Sequence, residues 1–231
     1  MFAMFATLRR GIDFFINLMK IPAAVCMLFA IPASIKAFER YWFIKDQLNL
    51  KNLICFGAGA LAMFIVRIVI NSRDETAETL EHELTHVLFA IMTFHVVHGV
   101  RVNGDGSGVM HFSGKGNWLI ALSPYCFPLM AVCMAAGGAF YSAFSGMTPD
   151  WVYIGIGCAV GYNVHALIQQ VHPRQTDFKV ASYWFTACFL PGANLLMYGM
   201  ICAFVERGSS GVAFFLRLVL YYARQLYKGL F

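Results

Sequence analysis

Long apolar runs separated by short polar breaks set the pattern of this chain. Runs near bilayer-spanning length lie at Ile21 to Phe38, Asn52 to Ile70, Trp118 to Phe144, Trp151 to Val171 and Ser182 to Val205. Each is close to the roughly 20 apolar residues that cross a hydrocarbon core as a helix. A sixth run, Thr76 to Phe94, is more polar at its start. The pattern predicts an all-α polytopic membrane protein with about six transmembrane helices in one integral membrane domain, residues 1–231.

Two breaks have a pattern of their own. After the sixth run, Val96, His98, Val100 and Val102 alternate at period two. Asn-Gly and Asp-Gly turn pairs follow at 103–106, Asp105 among them, and then Val109 to Phe112. That order predicts a β-hairpin. In the tail, residues 211–231, Arg217, Arg224 and Lys228 fall near one stripe of a helix and aromatic and aliphatic residues fill the rest. This predicts an amphipathic helix lying in the membrane interface. The N-terminal stretch, with Arg9 and Arg10 ahead of an apolar segment, has no small-residue cleavage site and is expected as an interfacial or first membrane helix.

Composition agrees with lipid as the main solvent, since 59% of residues are hydrophobic and 13% charged. The net charge of +5 suits Lys and Arg facing an anionic leaflet and gives no reason to expect a nucleic-acid partner. The expected location is a bacterial inner membrane. Lys36, Arg40, Lys45 and Lys51 form a basic stretch, whereas the loop around Asp150 has no Lys or Arg. Charge therefore puts the Asp150 loop outside, and the His95–Gly116 and His172–Lys179 breaks inside. Counting spans from there leaves the basic tail outside, against the same rule. The seven cysteines match no Cys-x-x-Cys spacing and are expected as small buried hydrophobes. Pro124, Pro128 and Pro191 are expected at kinks or helix starts, and Gly137-Gly138 and Gly155-x-Gly157 at close helix contacts.

The candidate chemistry lies in the sixth run, His82-Glu83-Leu84-Thr85-His86. On a helix His82 and His86 share a face one turn apart, so both imidazoles can reach one tetrahedral zinc. Glu83 is placed to take a proton from a metal-activated water. Ionisable groups at the head of a membrane run are costly unless paired or metal-bound, which makes them functional candidates. A third ligand is needed. Past residue 86 the carboxylates are Asp105, Asp150, Asp177 and Glu206. Asp105 falls in the hairpin turn, Asp150 in an outward loop and Glu206 at the end of the last span, which leaves Asp177. His165 and His172 compete with it.

A His-Glu-x-x-His membrane helix, a Gly-rich hairpin with Asp105-Gly106-Ser107-Gly108, an apolar span and a late aspartate together resemble the site-2-protease (M50) intramembrane metalloproteases, M50B-like branch. The resemblance covers about residues 76–178. It implies Zn2+ held by His82, His86 and Asp177, with Glu83 as general base and Asn163 holding the substrate backbone or the oxyanion. It also implies a membrane-anchored protein as substrate, whose unwound segment adds to the hairpin edge. Thr85 stands where many members have Gly, and Thr176-Asp177-Phe178 stands where the family has Leu-Asp-Gly. Three other readings share the residues: a catalytically silent relative serving as a membrane scaffold, a transporter of a solute or metal, and a membrane zinc hydrolase of a non-peptide substrate. A transporter has no use for Glu83 as a base, and a scaffold tolerates Glu83→Gln.

Overall fold

The computed structural model describes residues 2–43, 48–70, 76–104 and 106–230. Its helices are α1 (Phe2–Leu18), α2 (Lys20–Phe43), α3 (Leu50–Ile70), α4 (Thr76–Met92), α5 (Trp118–Leu122), α6 (Leu129–Ser145), α7 (Asp150–Gln170), α8 (Thr176–Ala181) and α9 (Tyr183–Leu230). Strands β1 (Val97–Val102) and β2 (Gly108–Phe112) pair antiparallel in the expected hairpin. Between the pairings Val97–Phe112 and Gly99–His111 the register shifts, β1 carrying one extra residue there. Asp105 and Lys45, which the sequence reading used, lie outside the described residues.

Among the described residues four helical stretches are long and apolar enough to cross a membrane: Lys20–Tyr41, Leu50–Ile70, Asp150–Gln170 and Tyr183–Gly229. The pair Trp118–Tyr125 and Leu129–Ser145, bent by 78° at its break, makes a fifth if it crosses as one broken span. Six spans were expected. The run that falls short is α4, where Glu78, Glu81 and Glu83 interrupt a helix of 17 residues. Pro128 stands at the start of α6 and Pro124 in the short 3-10 turn Ser123–Tyr125, so the bend falls where prolines remove helical hydrogen bonds.

Two sets of helices build the membrane body. α3 and α7 run parallel, as their matched contacts show: Lys51 pairs with Asp150 at 2.8 Å, and the Phe64 and His165 rings meet at 6.3 Å. A side chain on Gly157 or Gly161 would overlap the backbone of Phe56 or Ala60, so the two helices touch backbone to backbone. Small residues four apart allow this approach where lipid offers no hydrophobic drive for association. The second set joins α2 to α9. The Tyr41 hydroxyl donates to Glu206 at 2.6 Å, and Phe215 packs with Ala33, Ala37 and Ala203.

The tail departs from the expected interfacial helix. α9 breaks at Arg207 and Gly208, where Gly208 takes φ 62°, and the chain doubles back. In a straight helix Gly199 and Phe215 would be about 24 Å apart; here the Phe215 ring fills the space beside Gly199. Phe214, Phe215, Leu218, Val219, Tyr222 and Leu226 form the stripe that packs against α2 and the first part of α9. The basic stripe was legible, but its apolar counterpart is wide enough to bury against helices instead of lipid headgroups.

This return removes the conflict over charge, because the end of the tail comes back towards the end of the molecule where α9 begins. The Lys51–Asp150 pair corrects another part of the same reading. The basic stretch and the Asp150 loop share one end, and Glu206 joins them there through Asn49 N at 3.3 Å. The cysteines are also corrected: Cys26 and Cys133 are exposed and the other five half-buried, all as free thiols. In lipid an apolar thiol gains little from burial, so sequence apolarity does not separate a core position from a lipid-facing one.

Candidate metal centre

α4 places the candidate residues by its period. His82, His86 and Glu83 lie within two turns, and Thr85 turns away from them to donate to the Glu81 carbonyl at 2.8 Å. The helix is tied in by its carboxylates. Glu78 pairs with Arg67 of α3 and lies 3.1 Å from His165 Nδ1 of α7, while Glu81 accepts from the backbone N–H of Met130 at 3.1 Å. Buried carboxylates that would be costly alone are thereby paired.

Each histidine is oriented through its inner nitrogen. His86 Nδ1 lies 2.8 Å from the Ile120 carbonyl oxygen, and His82 Nδ1 lies 2.9 Å from Gln170 Oε1. Both partners are acceptors, so each Nδ1 carries the proton and each Nε2 presents a lone pair. The two Nε2 atoms face each other at 3.1 Å, and Asp177 Oδ2 is 3.5 Å from both. Two lone pairs and a carboxylate oxygen converging in this way repel one another unless a cation lies between them. Bonds of ~2.0–2.1 Å to a tetrahedral zinc put ligand atoms roughly 3.3 Å apart, so the donor set fits such an ion.

Asp177 reaches the pair from α8. His82, His86 and Asp177 form the group that could hold a metal ion. The rival third ligands are placed elsewhere. His165 is engaged with Glu78, and His172, at the rim, accepts from Arg174 N at 3.2 Å.

A cavity of about 510 Å3 opens over the cluster. Glu83, buried at 6% exposure, lines it with the three candidate ligands, and β2 forms one wall from Gly108 to Phe112. A side chain at Gly108 would collide with Thr79 and Glu83, so strand and helix meet closely there. The lining also holds four carboxamides, Asn117, Gln169, Gln170 and Gln175. Asn163 does not join them. It stands about 10 Å up α7 from Gln170, two helical turns away, and its Oδ1 accepts from the Tyr198 hydroxyl at 2.7 Å.

Sequence reasoning missed Tyr125, whose hydroxyl donates to Asp177 Oδ2 at 2.9 Å, and Gln170. It also missed the anchor of α5 to α1. There Asn117 donates to Asp13 at 2.8 Å, Trp118 Nε1 donates to the Ile16 carbonyl at 2.6 Å, and the buried His95 lies 3.2 Å from Asp13. None of these positions carries a local motif.

Residues 53–160 match the family model described as Peptidase M50B-like. The matched segment contains α4 with His82, Glu83 and His86, and the hairpin; Asp177 lies beyond it. No curated protein and no solved structure matches the chain. The segment of this integral membrane protein that carries the His-Glu-x-x-His helix is therefore similar to the M50B-like peptidases.

Proposed function

We propose that the chain is a zinc-dependent intramembrane endopeptidase that hydrolyses a peptide bond of a membrane-anchored protein. The observation that carries this reading is the convergence of His82 Nε2, His86 Nε2 and Asp177 Oδ2 within 3.1–3.5 Å of one another, beside Glu83, in a cavity walled by a strand. A zinc ion held by the three would lower the pKa of a water towards neutrality and polarise the scissile carbonyl.

The remaining work falls to the chain. Glu83 is the general base: it takes the proton of the attacking water and passes it to the leaving nitrogen. Gln170 and the Ile120 carbonyl hold the imidazoles in the tautomer that leaves Nε2 free. A peptide bond within a substrate helix is shielded by its own hydrogen bond, so cleavage requires local unwinding. β2, lining the cavity, offers the backbone partners that an unwound segment needs in lipid, and Gln169 and Gln175 in the same lining can both donate and accept.

The test is cleavage of a tagged single-span substrate reconstituted with the purified protein. Wild type is expected to cut it, and Glu83→Gln to lose about 10²-fold or more of the rate, as removal of a general base does. A Glu83→Gln protein that cuts as fast as wild type would remove Glu83 from the mechanism. A wild type that cuts no membrane-anchored substrate, although it binds zinc, would favour the scaffold.

A further inference from the structure

Tyr125 heads the side chains with essentially no exposed surface. It is held from three sides. Its carbonyl accepts from Asn194 Nδ2 at 2.9 Å, its ring packs on Phe178 with centroids 4.6 Å apart, and its edge meets the His82 ring at 5.1 Å. The hydroxyl donates to Asp177 Oδ2, the oxygen that lies 3.5 Å from both histidine Nε2 atoms. A buried phenol left without a partner would be costly, so this bond fixes ring and carboxylate together.

Asp177 needs such a fixture. It lies in the first turn of α8, a helix of six residues whose N-cap, Gln175, makes no side-chain capping bond. Its side chain keeps 22% exposure at the cavity edge. A short uncapped helix alone does not hold a carboxylate in one orientation. Phe178, the residue after Asp177, lays its ring against that of Tyr125.

We propose that Tyr125 is a positioning residue that holds the Asp177 carboxylate in its ligating orientation, with Phe178 packed on the ring to fix it. The inference rests on the metal reading of the site given above.

The test is zinc titration against a competing chelator for the metal-free wild type, Tyr125→Phe, Asp177→Ala and the double variant, with Co2+ absorption spectra of each. Tyr125→Phe keeps the ring and removes the hydroxyl, and it is expected to lose roughly 10- to 100-fold in zinc affinity and to alter the cobalt spectrum. In the Asp177→Ala background the same change should cost less than about twofold, because the two act as one unit. Phe178→Leu keeps the hydroxyl and loosens the ring, so a smaller loss is expected; it also carries the test if Tyr125→Phe does not fold. Wild-type affinity in a folded Tyr125→Phe, or an equal loss with and without Asp177, would overturn the inference and leave the metalloprotease standing. Wild-type affinity in Phe178→Leu would overturn the role of the ring pair. A wild type that binds no zinc would overturn both readings.

Discussion

At the residue scale, each histidine gives one ring nitrogen to an acceptor and the other to the cluster. Gln170 does this for His82 from α7, 88 positions along the chain. Gln170→Leu removes the acceptor and lets the ring turn, so zinc affinity should fall by about 10–100-fold while the fold persists; isothermal titration with circular dichroism checks both. His82, Glu83 and His86 were legible because one helical turn puts them together in any context. Asp177 was legible only by elimination, since few carboxylates follow residue 86. Tyr125, Gln170 and Ile120 were not, because their roles exist only once distant segments meet and no periodicity connects them to α4. Asn163 marks the opposite limit: a polar residue at a plausible distance along the chain whose oxygen is already taken by Tyr198.

At the element scale, the hairpin and the broken α5–α6 segment shape the cavity. The hairpin could be read from alternation and turn pairs because strand period and turn chemistry are local properties. The 78° bend could not, since prolines at a break fit a kink, a re-entrant loop or two separate spans equally well. The contact of β2 with α4 at Gly108 gives a direct prediction. Gly108→Val places a branched side chain against Thr79 and Glu83, so strand and base must part. Proteolysis should fall by about 10²-fold, as when a catalytic group is misplaced by ~1 Å, while zinc content stays at the wild-type level. Loss of zinc together with activity would show that the strand supports the ligands and not the base.

At the scale of the whole molecule, two ends are distinct. Lys20, Arg101, Lys115, Arg174, Lys179 and Lys228 lie at the end that carries the cluster, whereas Arg40, Lys51 and Arg207 lie at the other. The positive-inside rule predicts that the cluster end faces the cytoplasm. The count of loops alone misplaced the tail because the reversal at Gly208 turns the chain back, and hydropathy does not show that reversal. Lys115→Cys and Lys228→Cys should react with a membrane-impermeant maleimide from one side of sealed vesicles and Met147→Cys from the other; Lys228→Cys reacting with Met147→Cys would refute the returning helix. The central claim, a metal held by His82, His86 and Asp177, is tested most directly by the zinc content of the detergent-purified wild type beside Glu83→Gln, His86→Ala and Asp177→Ala. The account predicts about one zinc per chain in wild type and in Glu83→Gln, as three ligands in a tetrahedral site imply, with depletion in the other two. Folded wild-type protein without zinc, or Asp177→Ala protein with its full complement, would contradict it.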